Sequence, residues 1–352
     1  MSFEDLISTP EPTTDGAPSA IATVDQEISM STEESARWIK RGTAGVDPIV
    51  LDQLQAEVVR HADDYLVKAP IELVPKLNQT RREVFDLLDA PRQRPRHLAT
   101  LYLLAGQVCA LLAHACADLG RNDAADTHAR TAQLAADFAE DAHLSAYVSW
   151  IQANVAYWQG DFARAAHFAE SGLATMVDYS TQLRLASQLA RARAALGEPR
   201  AALTALDQAM DVLPHIRPTA SAPGVMHFSP AKALYYGSEV HLAIGGREHN
   251  NHALELADQA LGLLTDNSPA EFRAAADLDA ARANLALGDA EAAHTRIERV
   301  LALPVELRTT PIVGRVRSAG AELRTLAART ALARDISQQI ELFTTYTAER
   351  ED

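Results

Sequence analysis

The stretch 144–176, LSAYVSWIQANVAYWQGDFARAAHFAESGLATM, has the pattern of two short amphipathic helices joined at Gly160. Asp161 follows the glycine, where a helix N-cap accepts hydrogen bonds from the first free amides. One such pair cannot bury both of its apolar faces alone, so similar pairs must stack on it. The apolar residues recur at the three- and four-residue spacing of a helix face, and they are Val148, Ile151, Val155 and Trp158, then Phe162, Ala165, Ala166, Ala169 and Leu173.

The same pattern returns along most of the chain, with a corner glycine at similar intervals. Glycine takes backbone angles that other residues avoid, and small residues let two helices approach closely. We therefore predict repeated helix pairs and almost no sheet. The corner glycines are Gly120, Gly160, Gly197, Gly245 and Gly288, and the alanines that follow them are Ala125, Ala165, Ala202, Ala253 (delayed by the insertion REHNNH) and Ala293.

This repeat resembles the tetratricopeptide repeat, a helix-turn-helix unit of about 34 residues, with longer connections here. The resemblance implies an all-α, right-handed solenoid of antiparallel helix pairs. The alternative is an irregular all-helical domain in which the glycine spacing is a coincidence.

Composition and charge limit the function classes. The chain has 352 residues, of which 47% are hydrophobic, and its formal net charge is −15. That charge opposes contact with phosphate backbones and anionic lipid, so we expect no direct nucleic-acid binding. Cys109 and Cys116 lie seven residues apart in one helical pattern, too far apart for a disulfide, and are expected to pack in the core. We see no signal peptide and no apolar run of membrane-spanning length, so a soluble cytoplasmic protein without membrane contact is expected.

The chain divides into four predicted parts. Residues 1–30 form a disordered acidic tail or linker, because they hold several prolines and no Lys or Arg. Residues 31–96 form N-terminal helices, the second opened by Asp47 and the third spanning 71–88 with Pro75 in its first turn. Residues 97–304 form the repeats, interrupted by a proline-rich segment at 214–230 that is long enough to fold over one surface. Residues 305–352 form C-terminal capping helices.

Several longer motifs carry a more specific resemblance, over roughly residues 27–345. They resemble the tetratricopeptide-type regulatory region of actinobacterial helix-turn-helix transcription regulators of the xenobiotic-response-element class. The segment 27–42 is similar to the join that follows the DNA-binding domain in such regulators. The other motifs are DLLDAPRQRPRHLATLYLLAGQVCALLAHACADLG (86–120), NDAADTHARTAQLAADFA (122–139), VSWIQANVAYWQGDFARAAHFAESGL (148–173), FSPAKALYYGSEVHLAIG (228–245) and RVLALPVELRTTPIVGRV (299–316).

The regulators that this chain resembles have a DNA-binding domain, and none of the matching motifs belongs to it. Only 26 residues precede the join, and they carry no positive charge. A DNA-reading helix normally brings Arg or Lys to phosphates and base edges. We therefore expect the DNA-binding domain to be missing from this chain through natural loss, a split gene or truncation.

Polar residues recur at fixed distances before the corner glycines, in helices otherwise rich in alanine and leucine. Offsets of thirteen, nine and six residues define an i, i+4, i+7 face of the first helix in each pair. In tetratricopeptide folds this helix lines the concave surface. The residues at these offsets are Gln107, Tyr147, Arg184 and Lys232, then Gln188, Tyr236 and Asp279, then His114, Asn154, Arg191, Glu239 and Arg282.

We predict that this stripe, with Tyr157 and neighbouring aromatic residues, is a groove for a peptide, a protein or a small polar ligand. Arginine and lysine would hold a carboxylate or phosphate, and asparagine would clamp peptide amides. The alternative is a solvated helix face without a ligand. If the groove is correct, replacing Asn154 and Arg191 with alanine should abolish binding without unfolding the chain.

Other sequence features carry little functional signal. The chain has no metalloprotease, phosphate-loop or nucleophile-elbow motif, so we expect neither catalysis nor a cofactor. His249 and His252 form HNNH in an insertion, which is interpreted as a chance match. The basic group at 81–97 is interpreted as a solvated loop, although it could dock an acidic partner, and consists of Arg81, Arg82, Arg92, Arg94, Arg96 and His97.

The sequence leaves two functions open. The first is a regulatory module that binds a small-molecule effector, a peptide or a protein, with a separate DNA-binding regulator among the candidate partners. The second is a general scaffold or adaptor without a regulatory ligand. The resemblance to dimeric regulators also implies a homodimer.

Overall fold

The computed structural model describes residues 20–41, 47–90, 95–175, 178–216, 222–265, 268–327 and 331–347. Every regular element within these residues is a helix, which confirms the all-α prediction. Short 3₁₀ helices cover Leu213–His215, Gly224–Met226 and Val305–Leu307. The α-helices are α1 (Ala20–Arg41), α2 (Pro48–Asp64), α3 (Pro70–Asp89), α4 (Pro95–Asp118), α5 (Asn122–Ala139), α6 (Ala142–Trp158), α7 (Phe162–Leu173), α8 (Tyr179–Ala195), α9 (Pro199–Val212), α10 (Pro230–Ile244), α11 (Arg247–Leu263), α12 (Ala270–Leu287), α13 (Ala290–Leu301), α14 (Thr310–Ala327) and α15 (Ala331–Thr345).

From α4 onward the helices pack in consecutive pairs. Each of α4, α6, α8, α10, α12 and α14 packs on the helix that follows it. The first five of these pairs are joined by two or three residues, so the two helices of each must run antiparallel. We call α4, α6, α8, α10, α12 and α14 the first helices, and their partners the second helices.

The predicted corners are confirmed by the backbone. All five corner glycines have φ between 70° and 94°, in the left-handed region that favours glycine. At Gly160 the chain turns with φ of 80°. Asp161 then caps α7, because its side chain accepts a hydrogen bond from the Arg164 amide at 3.1 Å. A local signal of three residues thus ends one helix and begins the next.

Small residues set the distance between the helices, as the spacing predicted. Alanines at the matched positions of α5, α7, α9 and α11 are fully buried. Gly172 of α7 shows the limit of this packing, since an added Cβ would come within 2.9 Å of Leu185 and of Ser149. Larger side chains at these positions would separate the pairs.

The row of first helices closes on itself. Each first helix contacts the next, and the last one, α14, also contacts α4 and α6. Gly314 marks this closure, because a Cβ there would lie 3.2 Å from the Trp158 ring of α6. The faces that the first helices share are therefore enclosed by protein.

The proline-rich segment between α9 and α10 packs inward, as its length allowed. Val225 and Phe228 are buried. Gly224 approaches the end of α2 so closely that an added Cβ would lie 2.0 Å from the Ala62 carbonyl oxygen. The described part of this segment therefore links α2 to the interior between the first helices.

Two expectations for the N-terminal region need correction. Helix α1 already begins at Ala20, not near Ser31, because the prolines end at Pro18 and no glycine follows before Gly42. Residues 1–19 of the predicted tail lie outside the described residues. Pro75 stands in the second turn of α3, not the first, since that helix begins at Pro70. Its position is exposed, so the missing amide disturbs no core packing.

The expectation that no apolar run reaches membrane-spanning length is also wrong, because α4 is long and apolar enough to cross a membrane. It is the one such helix in the part of the chain described, and 67% of its most apolar window is buried within the protein. Cys109 and Cys116 lie on this helix as buried, free cysteines, which confirms their core role. Burial raises the pKa of Cys109 to about 12. The burial of α4 is that of a core helix.

Exchange of a corner glycine tests this fold. Gly160→Ala should lower the free energy of unfolding by about 1–2 kcal/mol, because alanine resists positive φ although no atom lies near its Cβ. Gly262→Ala in α11 is the matched control, since this helical glycine also has free space, and it should stabilise by about 0.5–1 kcal/mol. Urea unfolding measures how each variant changes the free energy of unfolding. A change in the same direction for both variants would contradict the corner assignment.

Candidate functional site

The polar positions predicted on the first helices come together, but inside the protein. Because α14 closes the row onto α4 and α6, these residues do not line an exposed trough, and the interpretation as a solvated face is wrong for the same reason. Their role in binding stays a prediction. The buried members are His114, Tyr147, Asn154, Arg184, Gln188, Arg191, Lys232, Tyr236 and Glu239, whereas Tyr157 and Arg282 are half-buried.

Glu239 of α10 is the centre of one polar cluster. Its Oε2 accepts hydrogen bonds from Arg191 Nε of α8 at 2.8 Å and from Arg315 Nη2 of α14 at 2.6 Å. Its Oε1 accepts from the Tyr157 hydroxyl of α6 at 2.8 Å. Burial alone would raise the pKa of Glu239, but the two guanidinium groups lower it to about 2. One ionised carboxylate thus connects four first helices.

Arg191 lies between two tyrosine rings. Its Cζ is 4.1 Å from the ring centroid of Tyr157 and 3.9 Å from that of Tyr236. Its Nη1 donates to Gln188 Oε1 at 2.9 Å. Cation–π contacts strengthen when the cation is desolvated, and Arg191 is 1% exposed. Arg191 Nη2 and Gln188 Nε2 are nevertheless buried without hydrogen-bond partners, as is Asn154 Oδ1 on α6.

Asp279 of α12 stands at the edge of this cluster without a hydrogen bond to either carboxyl oxygen. It is fully buried, and its Oδ1 lies 3.7 Å from Arg315 Nε. Burial raises the pKa of Asp279 to about 7, although the Arg315 charge acts in the opposite direction and Glu239 adds to the rise. This carboxyl therefore changes protonation near neutral pH.

A second cluster surrounds the indole ring of Trp150 on α6. Arg184 Cζ lies 4.6 Å from the ring centroid and Lys232 Nζ lies 5.2 Å from it, so two cations from α8 and α10 share one ring. The His114 ring of α4 meets the indole edge-on at 5.1 Å. The Trp150 Nε1 hydrogen is buried without an acceptor.

Arg184 has hydrogen bonds but no counter-charge. Its Nη2 donates to the carbonyl oxygens of Val225 and Met226 at 2.9 and 2.8 Å. No ion pair joins this guanidinium to a carboxylate of the described residues. Burial lowers its pKa, whereas Tyr147 and the Asp178 carboxylate act in the opposite direction. Lys232 is similar, because aromatic rings surround its ammonium and no described carboxylate pairs with it.

The floor of the Trp150 cluster is a buried polar pair beside a histidine. The Tyr65 hydroxyl donates to Asp118 Oδ2 at 2.6 Å, and the Tyr65 ring stacks on His114 at 4.7 Å. Burial raises the pKa of Asp118, and Glu271 adds to the rise. Burial also lowers the pKa of His114, as do the charges of Lys232 and Arg184. Both side chains thus favour their neutral forms.

The interior is therefore cationic within an acidic chain. Glu239 is ionised and Glu271 is half-buried, whereas burial favours the neutral forms of Asp118 and Asp279. Several kcal/mol are needed to bury each uncompensated ion, so an anion would be stabilised here. The buried cations are Arg184, Arg191, Lys232 and Arg315.

A cleft of about 240 Å³ reaches Arg184 from the surface. It lies between α4, α6, α8 and the segment before α10. Apolar lining comes from Leu103, Leu144 and Met226, and the polar groups Tyr147 and Arg184 also line it. The cleft gives solutes a path to the Trp150 cluster.

Arg315, Asp118 and Tyr65 were missed by the sequence analysis. Arg315 could not be found by counting from a corner, because no corner glycine follows α14. Asp118 and Tyr65 lie outside the offsets used. Arg282 was predicted as part of the stripe, and it instead pairs with Glu322 of α14 at 2.8 Å.

The remaining sequence features stay separate from this interior. His249 contacts His241, with the two Nδ1 atoms 2.8 Å apart, so HNNH has a local packing role. No group of three His, Cys, Asp or Glu side chains suited to a metal ion is present among the described residues. Within the basic group, Arg81 lies over the Phe85 ring and Arg96 donates to His97, whereas Arg92 and Arg94 fall outside the described part.

No protein-family model matches the chain, and no curated protein is significantly similar to it.

Loss of the central charge should destabilise the protein. Glu239→Gln keeps the side-chain shape but leaves Arg191 and Arg315 buried without their carboxylate, so the free energy of unfolding should fall by about 3–5 kcal/mol in urea at pH 7. Arg191→Ala should act in the same direction, which replaces the expectation that it leaves folding intact. Glu170→Gln is the control, because this exposed carboxylate accepts from Arg193 at the surface and should cost at most about 1 kcal/mol. Equal losses at both sites would contradict the buried network.

Asp279 should make stability depend on pH. Its folded pKa is about 7, well above the value of about 4 expected in the unfolded chain, so native protein retains a proton that the unfolded chain loses between these values. Parental stability should therefore fall as pH rises from 4 to 7. Asp279→Asn removes this loss. Its free energy of unfolding should therefore rise relative to that of the parent by about 1 kcal/mol for each pH unit between pH 4 and 7. A variant less stable at every pH would instead mean an ionised Asp279 paired with Arg315.

Proposed function

We propose that this chain is a regulatory module that binds a small effector in the interior between its first helices, and that it binds no DNA directly. We further propose that the helix pairs form a right-handed, tetratricopeptide-like solenoid, and that the module acts in the cytoplasm without catalysis. Its output would pass to a protein partner, such as a separate DNA-binding regulator, or through a homodimer.

The observation that carries the proposal is a set of unpartnered polar atoms inside a cationic interior. A buried donor or acceptor without a partner costs about 1–3 kcal/mol, and most proteins satisfy such groups. Here several converge from α6 and α8 around buried cations. A polar ligand that satisfied them would favour one arrangement of the first helices, which is the physical basis of regulation by a ligand. The atoms are Tyr147 Oη, Trp150 Nε1, Asn154 Oδ1, Arg184 Nη1, Gln188 Nε2 and Arg191 Nη2.

A series of contacts from this interior to the N-terminal helices supports regulation by a bound effector. Arg184 holds the carbonyls of Val225 and Met226, and Gly224 in the same segment packs against the end of α2. Helix α2 contacts α1. A change at Arg184 can therefore reach α1, where the resemblance places the join to a DNA-binding domain.

The alternative is a scaffold or adaptor that works without an effector. Its support is the exposed apolar face of α1, where Val24, Ile28 and Trp38 face outward and Trp38 is 73% exposed. Such a face suits a helical partner. It also suits the regulatory proposal, because an effector-controlled module needs a surface for its output.

Thermal unfolding with small-molecule extract of the source cells tests the proposal. A fraction below 1 kDa should raise the midpoint by about 2–4 °C, since a ligand of native protein at about 100 times its dissociation constant adds about 3 kcal/mol. Lys232→Met, which removes one interior cation and keeps the apolar stem, should lose most of this shift. Lys76→Met at the exposed surface of α3 is the control and should keep it. Absence of any stabilising fraction would favour the scaffold.

A further inference from the structure

Arg184 presents one free edge to the cleft. Aromatic rings cover its faces, with Cζ 4.7 Å from the Tyr147 centroid, 4.6 Å from Trp150 and 5.3 Å from Phe228. Its Nη2 is occupied by two backbone carbonyls. Its Nη1 is buried without a hydrogen-bond partner, on a side chain that is 2% exposed.

The Tyr147 hydroxyl faces the same point. Tyr147 and Arg184 lie close enough to interact through a side-chain hydrogen bond, although neither Nη1 nor the hydroxyl oxygen has a partner in full hydrogen-bond geometry. Both residues line the cleft, and both are more than nine-tenths buried. A guanidinium edge beside a phenol hydroxyl offers two donors to one anionic group. No described carboxylate lies within ion-pair distance of this guanidinium, although Asp178 acts on it from the same cleft.

The mouth of the cleft limits the charge of the ligand. Asp141 and Asp178 line it, and each caps a helix by accepting from the Leu144 or Thr181 amide. Their negative charges repel any anion, and a dianion more strongly than a monoanion. His143 Nδ1 lies 3.2 Å from Asp178 Oδ2 and offsets that carboxylate when the imidazole is protonated. The volume of about 240 Å³ lies below the usual range for drug-sized ligands. The rest of the lining consists of five apolar residues, Leu103, Leu144, Ala222, Pro223 and Met226, and three polar ones, Gln107, His143 and Thr181.

We propose that this cleft binds a small monocarboxylate with an apolar body, whose carboxylate accepts hydrogen bonds from Arg184 Nη1 and the Tyr147 hydroxyl. The apolar body lies along Leu103, Leu144 and Met226. The assignment rests on the proposed effector function and gives it a chemical class. A phosphate monoester fits less well, because its second charge would face the two aspartates.

Matched acids and amides test the carboxylate directly. Octanoate, 4-phenylbutanoate and indole-3-acetate would be titrated against the full chain by calorimetry, each beside its primary amide. At least one acid should bind about 10 to 100 times more tightly than its amide, because only the acid forms charge-assisted hydrogen bonds. Equal affinity of acids and amides, no binding of any acid, or stronger binding of inorganic phosphate would overturn the proposal.

Variants locate the binding point. Arg184→Gln should weaken the best acid about 10-fold or more and leave its amide unchanged. Tyr147→Phe should weaken the acid several-fold, because it removes one donor, while its free energy of unfolding in urea should stay within about 1 kcal/mol of the parent value. Arg193→Gln is the control on the same helix, since Arg193 pairs with Glu170 and Glu198 outside the cleft, and it should bind as the parent does. Unchanged affinity in both cleft variants would overturn the site.

The extract experiment and the acid titrations distinguish failure of the effector function from failure of the monocarboxylate assignment. If a cell extract stabilises the parent and not Lys232→Met, but none of the acids binds, the effector function stands and the monocarboxylate class is wrong. If no extract fraction stabilises the parent and the acids do not bind, both proposals fall.

Discussion

The carboxylate of Glu239 is the constraint on which the closed interior depends. It accepts hydrogen bonds from Tyr157, Arg191 and Arg315, which belong to three other helices. A buried ion is tolerated only when its partners stand in the right geometry, so this network admits few relative positions of α6, α8, α10 and α14. The apolar contact of Gly314 with Trp158 holds the same closure by shape. The apolar contact and the buried ion pairs therefore fix the same position for α14.

The two kinds of helix have different tasks. The second helices bury alanine stripes and set the distance between neighbours, so they give the array its spacing. The first helices are buried on several sides and carry the polar side chains that meet inside. As a result a chain with net charge −15 encloses arginine and lysine side chains. This distribution of charge is the basis of our proposals that the chain binds no nucleic acid and that a small anion enters the interior by the cleft.

Local signals in the sequence were sufficient for much of this fold. The corner at Gly160, the cap at Asp161 and the alanine spacing were predicted because each depends on residues close in sequence. The offsets also identified Arg191 and Glu239 as members of one face. The closure was not predictable, since it requires contact between α14 and α4, and α14 begins 192 residues after α4 ends. Arg315 was missed for this reason, and a trough was expected where the interior is enclosed.

A double-mutant cycle between Glu239 and Arg315 tests the closed interior most directly. The free energies of unfolding of Glu239→Gln, Arg315→Met, the double variant and the parent would be measured in urea at pH 7. Side chains in direct contact through a buried ion pair should show a coupling energy of about 1–3 kcal/mol. A coupling energy below about 0.5 kcal/mol, as found for residues far apart, would contradict the packing of α14 over the interior.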